Sequence, residues 1–517
     1  MSRIETLCWG SIFLLLGAFN ALIFTAPWSR WAAPAIGLLL ILYSYVRFKP
    51  YTFLKVGLAL VFLGDEFLLF AFGISLVPVL LLLKSRSGFV VSRPQKRIAL
   101  LFLWCFVSYV FAQYIELNLG SLWFYAVTFG SPMVLFPIAV QVGTEGDRAK
   151  ALFGFLKMCT LWQTAFIGYL GLVLGNYTQK NDWATGSLGQ PDIAFLLAGF
   201  LIFLSAPWVL KRASLRNAGY PVFSARHRWV YLAGVGWFAL MLYWTYTRVL
   251  NYSLILAFAV GLSSLLLFRK LRPVLRCRRL VCTGGVLASL AIFLIYGLLT
   301  LPSTTFGATY TIYLTDPDYN HKVVFLRRAL EEIPEEFGTW LTGTGPGTVG
   351  TRAANSRAYD TLFKISGSKL PSFIPPFTSA PARQFFVDLY QQDFAVKYWK
   401  SQTLAGPFSS IISLWVELGF IGFVIFLCIM GTLARSFLRL SEQDSDPFYR
   451  TLGITLYLAT LTLLIVAIFD TYLERPRLMS LYWITAGLAV GRLRAIRKQV
   501  DLQHSLNAAP VPTGQTP

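Results

Sequence analysis

The sequence predicts an all-α, polytopic membrane protein of about 14 transmembrane helices with one large outward-facing loop. Three observations carry this expectation. Hydrophobic residues make up 56% of the 517 positions and charged residues only 13%, too apolar for a chain with an ordinary soluble surface. Apolar runs of roughly 20 residues, the length that crosses a bilayer, recur along nearly the whole chain. The formal charge of +21 is concentrated in short segments between those runs.

The basic segments set the orientation. KSRSGFVVSRPQKR (Lys84 to Arg97), KRASLRNAGYPVFSARHR (Lys211 to Arg228), RKLRPVLRCRR (Arg269 to Arg279) and RLRAIRK (Arg492 to Lys498) hold much of the positive charge. By the positive-inside bias of membrane proteins they face the cytoplasm. Confinement of the charge to such loops argues against a nucleic-acid partner. The long polar interval from Pro302 to Pro407 instead mixes signs, and it is expected outside.

Alternating the spans about these loops places them near 7–27, 32–47, 98–118, 120–143, 150–174, 190–209, 229–247, 250–268, 281–301, 408–431, 448–470 and 477–491. The first run, Cys8 to Ala26, has no small-residue cleavage site and is read as an uncleaved helix. Tyr51 to Lys84 must begin and finish inside although Asp65 and Glu66 sit near its middle, so two short helices turning at Gly64-Asp65-Glu66 are expected. The expected division is a first bundle portion (1–301), the loop (302–407), a second bundle portion (408–491) and a disordered cytoplasmic tail (492–517). Both termini are then cytoplasmic.

This topology gathers four polar features on the outer side: Gln179 to Asp192, Arg248, the long loop, and DTYLERPR (Asp470 to Arg477). Convergence of polar groups at one face is how a membrane enzyme or transporter builds a site. It is also what ordinary helix ends look like. Within the loop, DPDYNHKVVFLRRALEEIPEEFG predicts a short helix capped by Asn320 or Asp318, with Val324, Leu326, Leu330 and Ile333 on its apolar face. Arg327 is spaced to pair with Glu331 and Arg328 with Glu332.

The next segment, GTGPGTVG (Gly343 to Gly350), matches neither a P-loop nor a dinucleotide fingerprint. It reads as a tight turn, or as backbone N–H groups turned toward phosphate oxygens at Gly343, Gly345 and Gly347. No metal site or cofactor is expected: the acids of TDPD (Thr315 to Asp318) suit a turn, and the six cysteines lack metal-site spacing. Of the three histidines, His321 alone falls on the outer face, where it is a candidate base. Arg248 sits in a very short outer connection, where its guanidinium either clamps a diphosphate bidentately or snorkels to the interface.

Several segments together resemble the superfamily of O-antigen ligases and O-antigen or exopolysaccharide repeat-unit polymerases. They are WATGSLGQPDIAFLLAGFLIFL, YWTYTRVLNYSLILAF with Thr247-Arg248, FLRRALEEIPEEFGTWLTGTGPGTVG with Arg327 and Gly338 in an R-x10-G spacing, and SSIISLWVELGFIGFVIFL with its Glu-Leu-Gly-x-x-Gly core. They run in the expected order from Trp183 to Ile484. The resemblance implies a GT-C-like, metal-independent, inverting glycosyltransferase in a bacterial cytoplasmic membrane. Its donor would be a glycan on undecaprenyl diphosphate at the outer face. A polymerase would pass it to another lipid-linked unit and a ligase to a lipid A core sugar. The lipid bilayer, a glycan acceptor and a chain-length regulator are the implied partners.

On that reading the expected catalytic residues are Arg248, Arg327, Arg328, His321 and Glu417, and the expected substrate-binding residues are Gln190, Asp192, Gly343, Gly345, Gly347, Ser409 and Glu474. One departure bears on the choice. Ligases of the family carry His, then Asn, Ser or Gln, then nine residues before G-x-x-G. Counting back from Gly419 and Gly422 lands on Phe408-Ser409: the serine fits and the histidine is absent. That favours the polymerase branch over the ligase. A lipid-linked glycan transporter is the non-enzymatic alternative, disfavoured by the long outer loop and the lack of internal repeats.

Overall fold

The computed structural model describes residues 29–63, 66–85, 91–112, 122, 125–169, 190–214, 225–245, 250, 253–258, 260–261, 321–349, 379–385 and 409–508. Among them all regular structure is helical, with no strand. The elements are α1 (Ser29–Arg47), α2 (Pro50–Leu63), α3 (Glu66–Ser85), α4 (Arg93–Phe111), a π turn (Ala126–Gly130) leading into α5 (Ser131–Gly143), α6 (Gly146–Gly168), α7 (Gln190–Ser214) and α8 (Ala225–Trp244). They continue with α9 (His321–Arg327), a second π turn (Arg328–Glu332), α10 (Ile333–Phe337), α11 (Ala380–Phe385), α12 (Ser410–Gln443), α13 (Pro447–Phe469), a 3-10 turn (Tyr472–Glu474) and α14 (Pro476–Ala508).

Two stretches, Ser410–Gln443 and Pro447–Ile468, are each long and apolar enough to cross a bilayer. The expected spans near 7–27 and 281–301, and most of 250–268, lie outside the described residues. Over the Tyr51–Lys84 segment the described residues form two helices, α2 and α3; the expected turn at Gly64-Asp65 lies outside the described residues. The tail is a correction: residues 492–508 continue α14 as helix. The stretch from Arg492 to Ala508 contains no glycine or proline, and Leu493 and Ile496 pack on the core, so nothing ends the helix at 492.

The contacts define two ends. At one, which we call the basic end, a turn joins α12 to α13. There Arg492 grips Asp444 with two hydrogen bonds, Nε to Oδ2 at 2.7 Å and Nη2 to Oδ1 at 3.1 Å. Lys150 pairs with Asp446, which also caps α13 by accepting the Phe448 N–H. Burial alone would push the Asp446 carboxyl up, but the Lys150 and Phe448 donors outweigh it and hold the group below the usual carboxylate range. The pairing therefore supports the fold above about pH 4 and is lost as pH falls through that lowered value. At the opposite end, the loop end, α4 finishes, α12 begins and α13 hands over to α14.

Between the ends, α14 packs most intimately on α5. Gly487 and Gly491, one turn apart on α14, face Ala139 and Gly143, one turn apart on α5. A Cβ on Gly491 would overlap the Val140 carbonyl oxygen, and one on Gly143 the Leu488 carbonyl oxygen. The helices thus meet backbone to backbone, the contact that small residues four apart permit. Below them Trp483 is fully buried, edge-on to Phe136 with ring centroids 5.7 Å apart. Gly491→Leu should therefore force α5 and α14 apart and abolish recovery of a monodisperse protein in detergent, whereas Gly431→Leu, where a Cβ meets nothing within 4 Å, should not; size-exclusion chromatography of both variants measures this.

Candidate functional site

The loop end is built around an interruption in α12. At Gly419 the backbone takes φ 67° and ψ −178°, so the helix breaks and resumes. A break leaves N–H and C=O groups without their helical partners, and buried groups of that kind must be paired. The glycine-rich segment from Thr339 to Val349 pairs them. The Phe420 N–H donates to Trp340 O at 2.9 Å and the Ile421 N–H to Leu341 O at 3.4 Å. In return Thr344 N–H donates to Val416 O at 2.8 Å and Gly345 N–H to Glu417 O at 2.9 Å. The Leu418 carbonyl accepts from the Trp104 indole N–H at 2.7 Å, and the Ser108 hydroxyl reaches both Thr342 O and Glu417 O from α4.

So close an approach needs glycine on both sides. A Cβ on Gly343 would strike the Glu417 backbone and one on Gly419 the Leu341 carbonyl, and both residues have positive φ. Gly345 and Gly347 also have positive φ, 94° and 76°, which curls the segment so that its N–H groups converge. They converge on Glu417. The Gly347 N–H donates to Glu417 Oε2 at 2.8 Å and the Val349 N–H to Oε1 at 3.0 Å, with the side chain fully buried. The glycine run is thus an anion-cradling turn whose anion is supplied from within the chain. Gly422 serves a different purpose: it sits under Trp104, where a Cβ would collide with the indole, and so lets α4 lie against α12.

The preceding helical segment seats the turn. Val324, Phe325, Ala329 and Ile333 pack with Val349 and Val416. This apolar face differs from the predicted one, because the π turn at Arg328–Glu332 adds a residue to one turn and rotates Leu326 outward to 37% exposure. The same turn changes the ion pairing: Arg327 meets Glu332, five residues on, with Nε to Oε1 at 3.2 Å. Arg328 is half-buried and donates to Phe385 O at 2.5 Å, tying this segment to α11. Gly338, with φ 60°, ends α10 in the left-handed conformation, which gives the R-x10-G spacing a local reason for its glycine.

The other predicted residues are placed as follows. Ser409 caps α12, accepting from the Ile412 N–H at 3.3 Å and donating to Ala467 O at 3.1 Å. Asp192, in the first turn of α7, is buried, and nearby Phe195 meets Tyr472 with ring centroids 6.5 Å apart. Glu474 is buried in the 3-10 turn between α13 and α14. His321 opens α9 and Gln190 opens α7, but their side chains, like Arg248 and Phe408 as a whole, lie outside the described residues. The structure therefore joins Glu417, Gly343, Gly345 and Gly347 in one unit, with Ser409 two turns above Glu417 on α12. Among the described residues no cluster of His, Cys, Asp and Glu could hold a metal ion.

One residue the sequence reading missed belongs with them. Tyr125, at the head of the first π turn, is 2% exposed, and its phenol lies within electrostatic reach of both Glu417 and Glu474. Its signal in the sequence was weak, since a tyrosine at the end of an apolar run reads as an interfacial anchor. A scan against known protein families and a search of curated proteins found no match to this chain.

Replacing Gly343 by Ala should add left-handed strain of about 1–3 kcal/mol to a backbone clash. Glu417→Ala should cost about 1–3 kcal/mol for each loop N–H left unpaired, and Glu417→Gln less because one acceptor oxygen remains. Thermal unfolding in detergent should rank native above Glu417→Gln, with Glu417→Ala and Gly343→Ala lowest; a native-like midpoint for Glu417→Ala would remove the carboxylate from this role.

Proposed function

We propose that the chain is a multi-pass protein of a bacterial cytoplasmic membrane that polymerises glycan repeat units carried on undecaprenyl diphosphate. The observation that carries the reading is convergence. Two segments that separately resemble the ligase and polymerase superfamily, Phe325 to Gly350 and Ser409 to Leu427, are far apart in sequence, yet Thr339–Val349 completes the break at Gly419. The connection bearing Glu474, Arg475 and Arg477 abuts the same end, as Ser410 N–H donates to Asp470 O at 3.2 Å.

In the reaction so assigned, an acceptor hydroxyl oxygen forms a bond to the anomeric carbon of the donor sugar as the bond from that carbon to the diphosphate oxygen breaks. The hydroxyl proton passes to a base, and undecaprenyl diphosphate departs with the bonding electrons. Charge builds on the leaving diphosphate, and guanidinium groups supply its counter-charge. Arg328, Arg475 and Arg477 at the loop end, together with Arg248, are the residues we assign to that task. Arg327, exposed and paired with Glu332, is assigned a lesser part. Glu417 is assigned a positioning role, because both its oxygens accept loop N–H groups. Glu474 and His321 remain as the candidate bases. The residue at the ligase-type histidine position, Phe408, weighs for polymerisation over transfer to lipid A core.

Deleting the gene in its native host should cause a single lipid-linked repeat unit to accumulate, and the native chain should restore polymer. Arg248→Ala and Arg328→Ala should each reduce polymer at least tenfold on gels of the cell-surface glycan, while Arg327→Ala should leave most of it. Normal polymer in the deletion strain would overturn the function, and normal polymer with Arg248→Ala would overturn the clamp.

A further inference from the structure

Buried hydroxyls in this chain follow a rule that a few of them break. Along the helices the buried Thr160, Thr451, Thr455 and Thr462 each donate back to the carbonyl four residues earlier. That local bond is how a hydroxyl is satisfied inside an apolar bundle. At the loop end the hydroxyls without a partner include Tyr125 Oη, Ser410 Oγ and Ser413 Oγ, on side chains no more than 2% exposed, besides Thr339 Oγ1 and Ser480 Oγ. Ser413 has Ser409 O within its own turn, which its N–H uses at 3.0 Å, yet its hydroxyl does not turn to it.

These hydroxyls are not scattered. Ser410, Ser413 and Glu417 lie at i, i+3 and i+7 on α12, hence on one face, and all three are buried. The turn of Tyr472–Glu474 packs against both that helix and the π turn beginning after Tyr125. Tyr125 in turn lies within electrostatic reach of Glu417 and Glu474. A buried donor left unpaired costs free energy that a matching ligand recovers.

We propose that Tyr125, Ser410 and Ser413, with Glu474 at their edge, form the subsite that receives the hydroxyl groups of the reacting sugar. This rests on the polymerase reading and names the part of the substrate each region takes. Neutral hydroxyls beside carboxylates suit a carbohydrate, whose own hydroxyls both donate and accept, and disfavour a diphosphate. The guanidinium groups of Arg328, Arg475 and Arg477 suit the diphosphate. The site thus divides by chemistry, sugar inward and diphosphate at the arginines.

The test uses the full-length chain in lipid nanodiscs, with lipid-linked repeat units extracted from the deletion strain as substrate and sugar-free undecaprenyl diphosphate as competing inhibitor. Tyr125→Phe and Ser413→Ala remove a hydroxyl that bonds nothing in the protein, so each should unfold at the native temperature or above. Each should raise KM for the glycan-lipid about five- to tenfold, the loss of one neutral hydrogen bond. Inhibition by undecaprenyl diphosphate should stay native. Native KM in both variants, or an equal weakening of that inhibition, would overturn the subsite while polymerisation by the native chain upheld the function. A clear fall in unfolding temperature would show structural hydroxyls and overturn it too. Absence of polymerisation by the native chain would overturn the function and the subsite together.

Discussion

The loop end depends on one constraint: a helix broken at Gly419 must have its freed backbone groups paired. The carbonyls of Val416, Glu417 and Leu418 and the N–H groups of Phe420 and Ile421 all find partners outside their own helix. The three carbonyls belong to buried residues, and each left unpaired would cost about 1–3 kcal/mol, together of the same order as the 5–15 kcal/mol that holds a typical domain together. The glycine-rich segment and α12 are therefore one structural unit rather than a helix with a loop lying near it. Glu417 closes that unit from the helix side by holding the Gly347 and Val349 N–H groups.

Seen this way, the two glycine patterns in the sequence answer each other. Gly343 and Gly419 are glycines because each fills the space a Cβ on the other would need, while Gly422 admits Trp104 and Gly338 ends a helix. A carboxylate in an apolar helix is costly when unpaired. Here its two oxygens replace the polar contacts of water, and the curled segment gains the anion its N–H groups require. The unit also fixes where neighbouring groups stand, since Ser410 and Ser413 share one face of α12 with Glu417, on the turns nearer the helix start.

Much of the fold was legible because helix patterning in an apolar chain is a strong signal. The helical class and the helical segment beginning near His321 were both expected. What the sequence concealed were features set by tertiary partners. The π turn at Arg328–Glu332 moved Leu326 off the core and exchanged Glu331 for Glu332 as the partner of Arg327, and local periodicity carries no mark of an added residue. The Gly487-x3-Gly491 contact with α5 was readable from its spacing but was not singled out. The disorder expected from 492 gave way, over 492–508, to an uninterrupted run without glycine or proline that continues α14. For the site, the glycine turn was legible as a turn, but its attachment to Glu417 lies about 70 residues away and no local pattern announces it. Tyr125 emerged only from burial and the lack of a partner for its hydroxyl.

The loop end keeps its shape only if the glycine segment is held on the broken helix by Glu417. Distances between spin labels at Leu341, an exposed position on the segment, and Val500, an exposed position on α14, report this directly in a cysteine-free background. One narrow distribution in the native chain, broadening into many distances when Glu417 is changed to Ala, is the predicted result. An equally narrow distribution in both would show that the segment keeps its place without the carboxylate, and would contradict the account.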